Sequence, residues 1–231
     1  MLNVICFKWN TPGYRSKFTA EHVNVLQSMV KRNLDIDHRF ICITDDTKDV
    51  KCDIIPLWDF PHIKHFKSRT NAFRCLKLFD PTLEHLFDSD RILVLDLDLI
   101  IVDNITNLVN VSDDFKIWKD PHPKTHYNSS IWTYKLGTRS QVWETFDPIN
   151  SPLTIKKQGI IGSDQAWMSY SLGPNEATWS NKDGIYSYKV DLDRGRSTLP
   201  DNAKVVVFHG QFDPWMPEVQ KKSPWIKDHY K

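Results

Sequence analysis

Two aspartates, Asp96 and Asp98, interrupt an apolar run that reads ILVLDLDLIIVDNITNLV from Ile92 to Val109. Desolvating an ionised carboxylate costs several kcal/mol unless a partner compensates it. Two residues apart on a strand, both acids share one side of the pleat. Close carboxylates repel, so either one holds a proton or a cation stands between them. Hard oxygen ligands suit Mg²⁺ or Mn²⁺. The plainer alternative is that the pair caps the next turn or meets an Arg or Lys. A metal held by few protein ligands keeps positions open for a diphosphate and neutralises charge that builds on a departing phosphate. The chain has no G-x-x-x-x-G-K-[ST] and no G-x-G-x-x-G, and the GIIG at 159–162 is too apolar to cradle phosphates.

The surrounding pattern says what must position these acids. Leu2 to Phe7, Arg39 to Thr44, Asp53 to Leu57 and Ile92 to Leu97 read as strands. Phe18 to Leu34 carries Val23, Leu26, Val30 and Leu34 at helical spacing, with Thr19 as N-cap. Thr70 to Phe79 reads as a helix with Phe73, Leu76 and Phe79 on one face and Arg74 on another, and Leu83 to Phe87 as a second short helix. Further strands are predicted at Phe115–Lys119, Ser130–Lys135 and Lys204–His209, and a helix capped by Ser163 runs to Leu172. Strands alternating with helices predict an α/β fold with a mixed, largely parallel central sheet, which binds ligands beyond the carboxyl ends of its strands. Asp96 and Asp98 stand at that end.

At these residues the sequence resembles a family. VLDLDLIIVDNITNLV is similar to the "D-x-D, then V-x-N-I-x-x-L" block of the family 8 glycosyltransferases, glycogenin-like and lipopolysaccharide galactosyltransferase-like. WKDPHPKTHYNSSIWTYK, GSDQAWMS and VVVFHGQFDPW resemble three later blocks in the same order, so the likeness runs from Val4 to Trp215. The resemblance implies a GT-A (Rossmann-like) fold in one domain, with residues 1–110 as the nucleotide-binding half and 111–231 as the acceptor-binding half. It implies a sugar moved from a nucleotide diphosphate, a UDP-sugar first, to a saccharide or other hydroxyl-bearing acceptor, with retained configuration and Mn²⁺ or Mg²⁺.

By match to those motifs, Asp96, Asp98 and His209 are the metal ligands, and an imidazole favours Mn²⁺ over Mg²⁺. Asn128, Asp164 and Gln165 match positions that meet the donor sugar or the acceptor. Phe7, Lys8 and Tyr14 lie where the family holds the base and ribose, Asp45 faces the base, Leu97 lies between the two acids, and Arg74 approaches the diphosphate. Asp120 is placed to contact the sugar. For most of these a structural role stands beside the functional one: a solvated helix face for Arg74, helix capping for Asp164, a surface aromatic for Tyr14. The sequence departs from the family at Asp213, where a lysine usually touches the diphosphate; the replacement cation is expected from Arg74, Lys8 or Arg15, with Asp213 turned away. The competing readings are a nucleotidyltransferase of the same layout, disfavoured because KWNTPGYRS has one glycine, and a non-catalytic nucleotide-sugar-binding module.

Composition bounds the rest. The 231 residues are 40% hydrophobic with a formal net charge of +1, which suits one buried core and excludes a strongly basic nucleic-acid binder. Cys6, Cys42, Cys52 and Cys75 have no CxxC spacing and read as reduced core thiols. Without an apolar span of 18 residues or a charged leader, the sequence predicts a soluble, cytoplasmic protein, which makes the sequons at Asn104, Asn110 and Asn128 chance matches. KKSPWIKDHYK at the C-terminus reads as a basic solvated tail.

Overall fold

A computed structural model describes residues 1–10, 16–59 and 72–231. Tyr14 and Arg15 lie outside the described residues, as do His62 and His65. The elements in chain order are β1 (Leu2–Lys8), α1 (Ala20–Asn33), β2 (His38–Thr44), β3 (Asp53–Pro56), β4 (Arg91–Leu95), β5 (Leu99–Ile101), α2 (Thr106–Val109), β6 (Phe115–Lys119), β7 (Tyr127–Lys135), α3 (Gln141–Glu144), α4 (Asn150–Lys157), α5 (Asp164–Leu172), β8 (Ala177–Trp179), β9 (Ile185–Ser187), β10 (Val205–Val207), α6 (Pro217–Lys222) and α7 (Ile226–His229). Two 3₁₀ segments, Ala72–Phe79 and Pro81–Leu86, precede β4.

The main sheet has the order β3-β2-β1-β4-β7-β6-β8. Its first four strands are parallel, β7 runs antiparallel to both neighbours, and β8 pairs parallel with β6. A second sheet, β5-β10-β9, stands beside it. Alternate residues serve two cores. Val4, Cys6, Leu93 and Leu95 join Val23, Leu26, Met29 and Val30 of α1 on one side. Ile5, Ile92 and Val94 join Phe73, Leu76 and Phe79 of the first 3₁₀ segment and Ala166, Trp167 and Met168 of α5 on the other. Burial on both faces is why β1, β2 and β4 read as continuous apolar runs.

Three readings change. The residues from Ala72 to Phe79 wind as a 3₁₀ segment, with Phe73, Leu76 and Phe79 buried. Its eclipsed i,i+3 spacing delivers Phe73, Leu76 and Phe79 to one side as an α-helix would. The strand that begins at Arg91 stops at Leu95, so Asp96 and Asp98 do not share one face of a pleat. Asp96 N–H still donates to Ser130 O (2.9 Å), while Phe208 N–H donates to Asp98 O (3.1 Å). The Asp96–Leu97–Asp98 turn thus carries the chain from the main sheet into the second one. Finally, the C-terminal segment is docked, with Trp225 and Ile226 buried and Arg32 donating to His229 O (2.8 Å) and Lys231 O (2.6 Å).

Candidate active site

The carboxyl ends of β1 and β4 open into a cleft of ≈ 260 Å³. Phe7, Leu97, Asp96, Asp98, Asn128, Asp164, Gln165 and His209, eight of the residues singled out from sequence, line it together. Lys8, Asp45 and Arg74 do not. Lys8, the last residue of β1, is buried, and its Nζ stands 3.3 Å from Oδ2 of the exposed Asp46 just beyond β2. Asp45 is exposed beyond β2. Arg74 pairs with Asp59 (2.8 Å) and lies over the Trp9 ring at 5.8 Å, so it backs the cleft's aromatic wall. Phe7 meets Trp9 and Trp58 edge-on, each at 5.9 Å.

The turn after β4 and the end of β10 set the cleft floor. The main-chain bond from Phe208 to Asp98 places His209 beside the aspartates, although 111 positions separate His209 from Asp98 in the sequence. His209 Nε2 lies 2.7 Å from Ser187 Oγ. Desolvation holds its imidazole below the usual pKa, partly offset by Asp120.

Asp96 keeps an exposed edge toward the cleft, yet protein surrounds it on its other sides and displaces its wider hydration. That desolvation, against a hydrogen bond from Ser130 and with help from Asp164, pushes its carboxyl up to about 7. Asp164 is buried and also raised, chiefly by desolvation, while Ser163 Oγ donates to its Oδ1 at 2.9 Å. Ser163 therefore precedes α5 without capping its backbone. Cys75 lies near both acids, and burial lifts its thiol well above the ordinary range.

A second cluster surrounds Asp120. Its Oδ2 accepts from Asn128 Nδ2 (3.2 Å) and from Gln165 Nε2 (3.0 Å), and its Oδ1 from His122 N–H (2.6 Å). Asn128 Oδ1 in turn accepts from Ser130 N–H (3.0 Å). The amides of β7 and α5 are thus oriented by one carboxylate. Sequence reasoning missed Ser129, Ser130, Ser163, Cys75 and Trp9 as lining residues. The first two carried a signal, because N-S-S inside an otherwise apolar strand is itself anomalous.

Among the described residues, no three His, Cys, Asp or Glu side chains stand together as a preassembled metal site. Two carboxylates and an imidazole around one cleft nevertheless match Mn²⁺ or Mg²⁺ in donor type. The described lining includes no Lys or Arg. With Nε2 committed to Ser187, ligation by His209 uses Nδ1 or releases that bond.

No protein-family model and no curated sequence matches the chain. Solved structures do. The galactosyltransferase LgtC, in complex with donor and acceptor sugar analogues, superposes with a TM-score of 0.63 at 13% identity over 99% of this chain and 96% of LgtC. An active-site mutant of LgtC gives 0.63 at 12% identity over the same shares. The glycosyltransferase GlyE of Streptococcus pneumoniae TIGR4 gives 0.59 at 12% identity, covering 94% of this chain and 57% of GlyE. With its mixed seven-stranded sheet and the turn of two aspartates at the sheet junction, the chain has the GT-A fold of these glycosyltransferases.

Proposed function

We propose that the protein is a metal-dependent glycosyltransferase that moves a sugar from a nucleoside-diphosphate sugar, a UDP-sugar first, to a hydroxyl-bearing acceptor such as a saccharide, with retention. The observation that carries this reading is one cleft gathering Asp96, Asp98 and His209 with Asn128, Asp164 and Gln165. In it, residues 1–110 supply the nucleotide side and residues 111–231 the sugar and acceptor side.

Phe7 and Trp9 offer an apolar wall for the base and ribose. Asp96, Asp98 and His209 would hold a divalent ion, Mn²⁺ before Mg²⁺, which when bound neutralises the charge developing on the diphosphate. Asn128 and Gln165, oriented by Asp120, supply amides to sugar hydroxyls. Asp164, desolvated beneath the sugar position, favours positive charge at the anomeric carbon. The bond from that carbon to the diphosphate breaks with its electron pair leaving on the diphosphate. A new bond forms to the acceptor oxygen, whose proton leaves to the diphosphate or to solvent. No helix among the described residues is long and apolar enough to cross a membrane.

Calorimetry with UDP and GDP, with Mn²⁺ or with EDTA, followed by a hydrolysis screen of nucleotide sugars, tests this reading. Binding and hydrolysis should require the metal. Equal nucleotide affinity in EDTA would remove the metal bridge, and no nucleotide binding in either condition would remove the reading itself.

A further inference from the structure

A second depression, ≈ 280 Å³, meets the first across Asn128, Gln165 and His209 and is also lined by Asp120, His122 and Lys189. A molecule seated there presents its groups directly to whatever sugar the first cleft holds. A third, ≈ 260 Å³, continues from Lys189 to Arg194, Gly210 and Phe212. Lys189 does not line the first cleft, although a Cβ at Gly210, which does, would lie 3.9 Å from Lys189 Nζ.

Three acids, Asp120, Asp191 and Asp193, share this region with the two cations, and none of them forms an ion pair with either. Asp120 is already satisfied by three donors, as described above. Asp191 accepts from Ser187 N–H at 2.7 Å. Asp193 is exposed, and neither it nor any other described acid forms an ion pair with Lys189 or Arg194.

The loop that carries these cations is pinned. Arg194 N–H donates to Tyr188 O (3.0 Å), and Ser223 Oγ and Trp225 Nε1 both donate to Arg196 O (2.9 and 3.1 Å). Asp193, Arg194 and Gly195 run consecutively at φ 48°, 60° and 139°. A Cβ at Gly195 would come within 2.9 Å of Lys222 Cβ, so the loop lies tightly on the end of α6. Both side chains are exposed at the third depression, where an anion seated in it can be met from two sides.

We infer that the acceptor carries an anionic group, a carboxylate or a phosphate, which Lys189 and Arg194 hold while its hydroxyl is presented at Gln165 and His209. The inference rests on the glycosyl-transfer reading and narrows its acceptor.

The test uses wild type, Lys189→Ala, Arg194→Ala and the double variant, each saturated with Mn²⁺ and UDP. Calorimetric titrations compare matched ligands: methyl glucoside with methyl glucuronide, methyl galactoside with methyl galacturonide, and glucose with glucose 6-phosphate. In wild type the anionic member of at least one pair should bind about tenfold or more tightly than its neutral counterpart, the scale of one charge-assisted contact. That preference should collapse in the double variant and persist in Lys189→Arg. Absence of the preference in all three pairs, or its survival in the double variant, overturns the inference. So does a matching loss of UDP affinity in Lys189→Ala, because the cations would then serve the donor diphosphate. Failure of wild type to bind UDP or GDP with Mn²⁺ would instead strike the glycosyl-transfer reading.

Discussion

Replacing Asp96 by Asn should stabilise the metal-free protein while abolishing its response to metal. The carboxyl of Asp96 moves from an ordinary 3.8 to about 7 on folding, mainly through desolvation. A folded-state pKa above the unfolded value means that folding disfavours the ionised form. The cost is absent below about pH 4, grows as pH rises through the interval between those values, and is complete above about 7. At about 1.4 kcal/mol per tenfold change in proton affinity, the full displacement is an upper bound of roughly 4 kcal/mol. Because the carboxylate opens to the cleft, solvent screening reduces this to about 1–2 kcal/mol. Asn keeps the shape and still accepts from Ser130. For a chain of this length the gain corresponds to a rise in Tm of about 2–8 °C. Thermal unfolding of wild type and Asp96→Asn in EDTA at pH 8 and at pH 4.5 measures it. The variant should be the more stable at pH 8, with the gap shrinking at pH 4.5, and Mn²⁺ with UDP should raise Tm only for wild type. A variant less stable than wild type at pH 8 would refute the argument, because the Ser130 contact would then outweigh desolvation.

Asp98→Asn and His209→Ala should each leave Tm in EDTA within about 2 °C of wild type yet abolish Mn²⁺-dependent UDP binding, as read by calorimetry. Asp164→Asn should keep UDP affinity within about twofold while lowering sugar transfer or nucleotide-sugar hydrolysis by about a hundredfold or more, which assigns it to the sugar rather than the phosphates. Asp213 is 2% exposed and accepts from Ser16 Oγ at 3.0 Å, so Asp213→Lys should bury a mismatched cation and lower stability by about 3 kcal/mol or more in urea unfolding. An unchanged midpoint would mean that the position opens to solvent.

How much of this was legible in the sequence differs by element. Strands buried on both faces announced themselves, because β1, β2 and β4 must satisfy two cores at once. The helix α1 was equally plain from its apolar spacing. What local pattern could not show was the end of β4. The residues from Ile92 to Ile101 are nearly all apolar, so nothing in their type marks Asp96–Asp98 as a turn between two sheets. Burial of Ile92–Leu95 and Leu99–Ile101 on either side of that turn makes them look like one strand. The same limit explains Lys8 and Arg74. Both were read from their position near strand ends and helix faces, but where a long side chain goes depends on its partner. Asp46 and Asp59 supply those partners from loops that no periodicity predicts.

Several site residues that did come together combine strand pairing with short or rigid side chains. Asp96, Asp98, Asn128 and His209 are each fixed through main-chain pairing of the strands that carry or adjoin them. Asp96 N–H binds Ser130 O, Ser130 N–H binds Asn128 Oδ1, and Phe208 N–H binds Asp98 O. Their side chains are short or rigid, so placing the backbone nearly places the functional atoms. Lysine and arginine carry four or more rotatable bonds beyond Cα, and their charged ends are settled by electrostatics across the fold. Motif matching therefore picked carboxylates, amides and an imidazole that line one cleft, while Lys8 and Arg74 do not line it. Lys189 and Arg194, the cations proposed to hold the acceptor, fall in no matched block and come to notice only because they line depressions beside the cleft without an ion pair to a described acid.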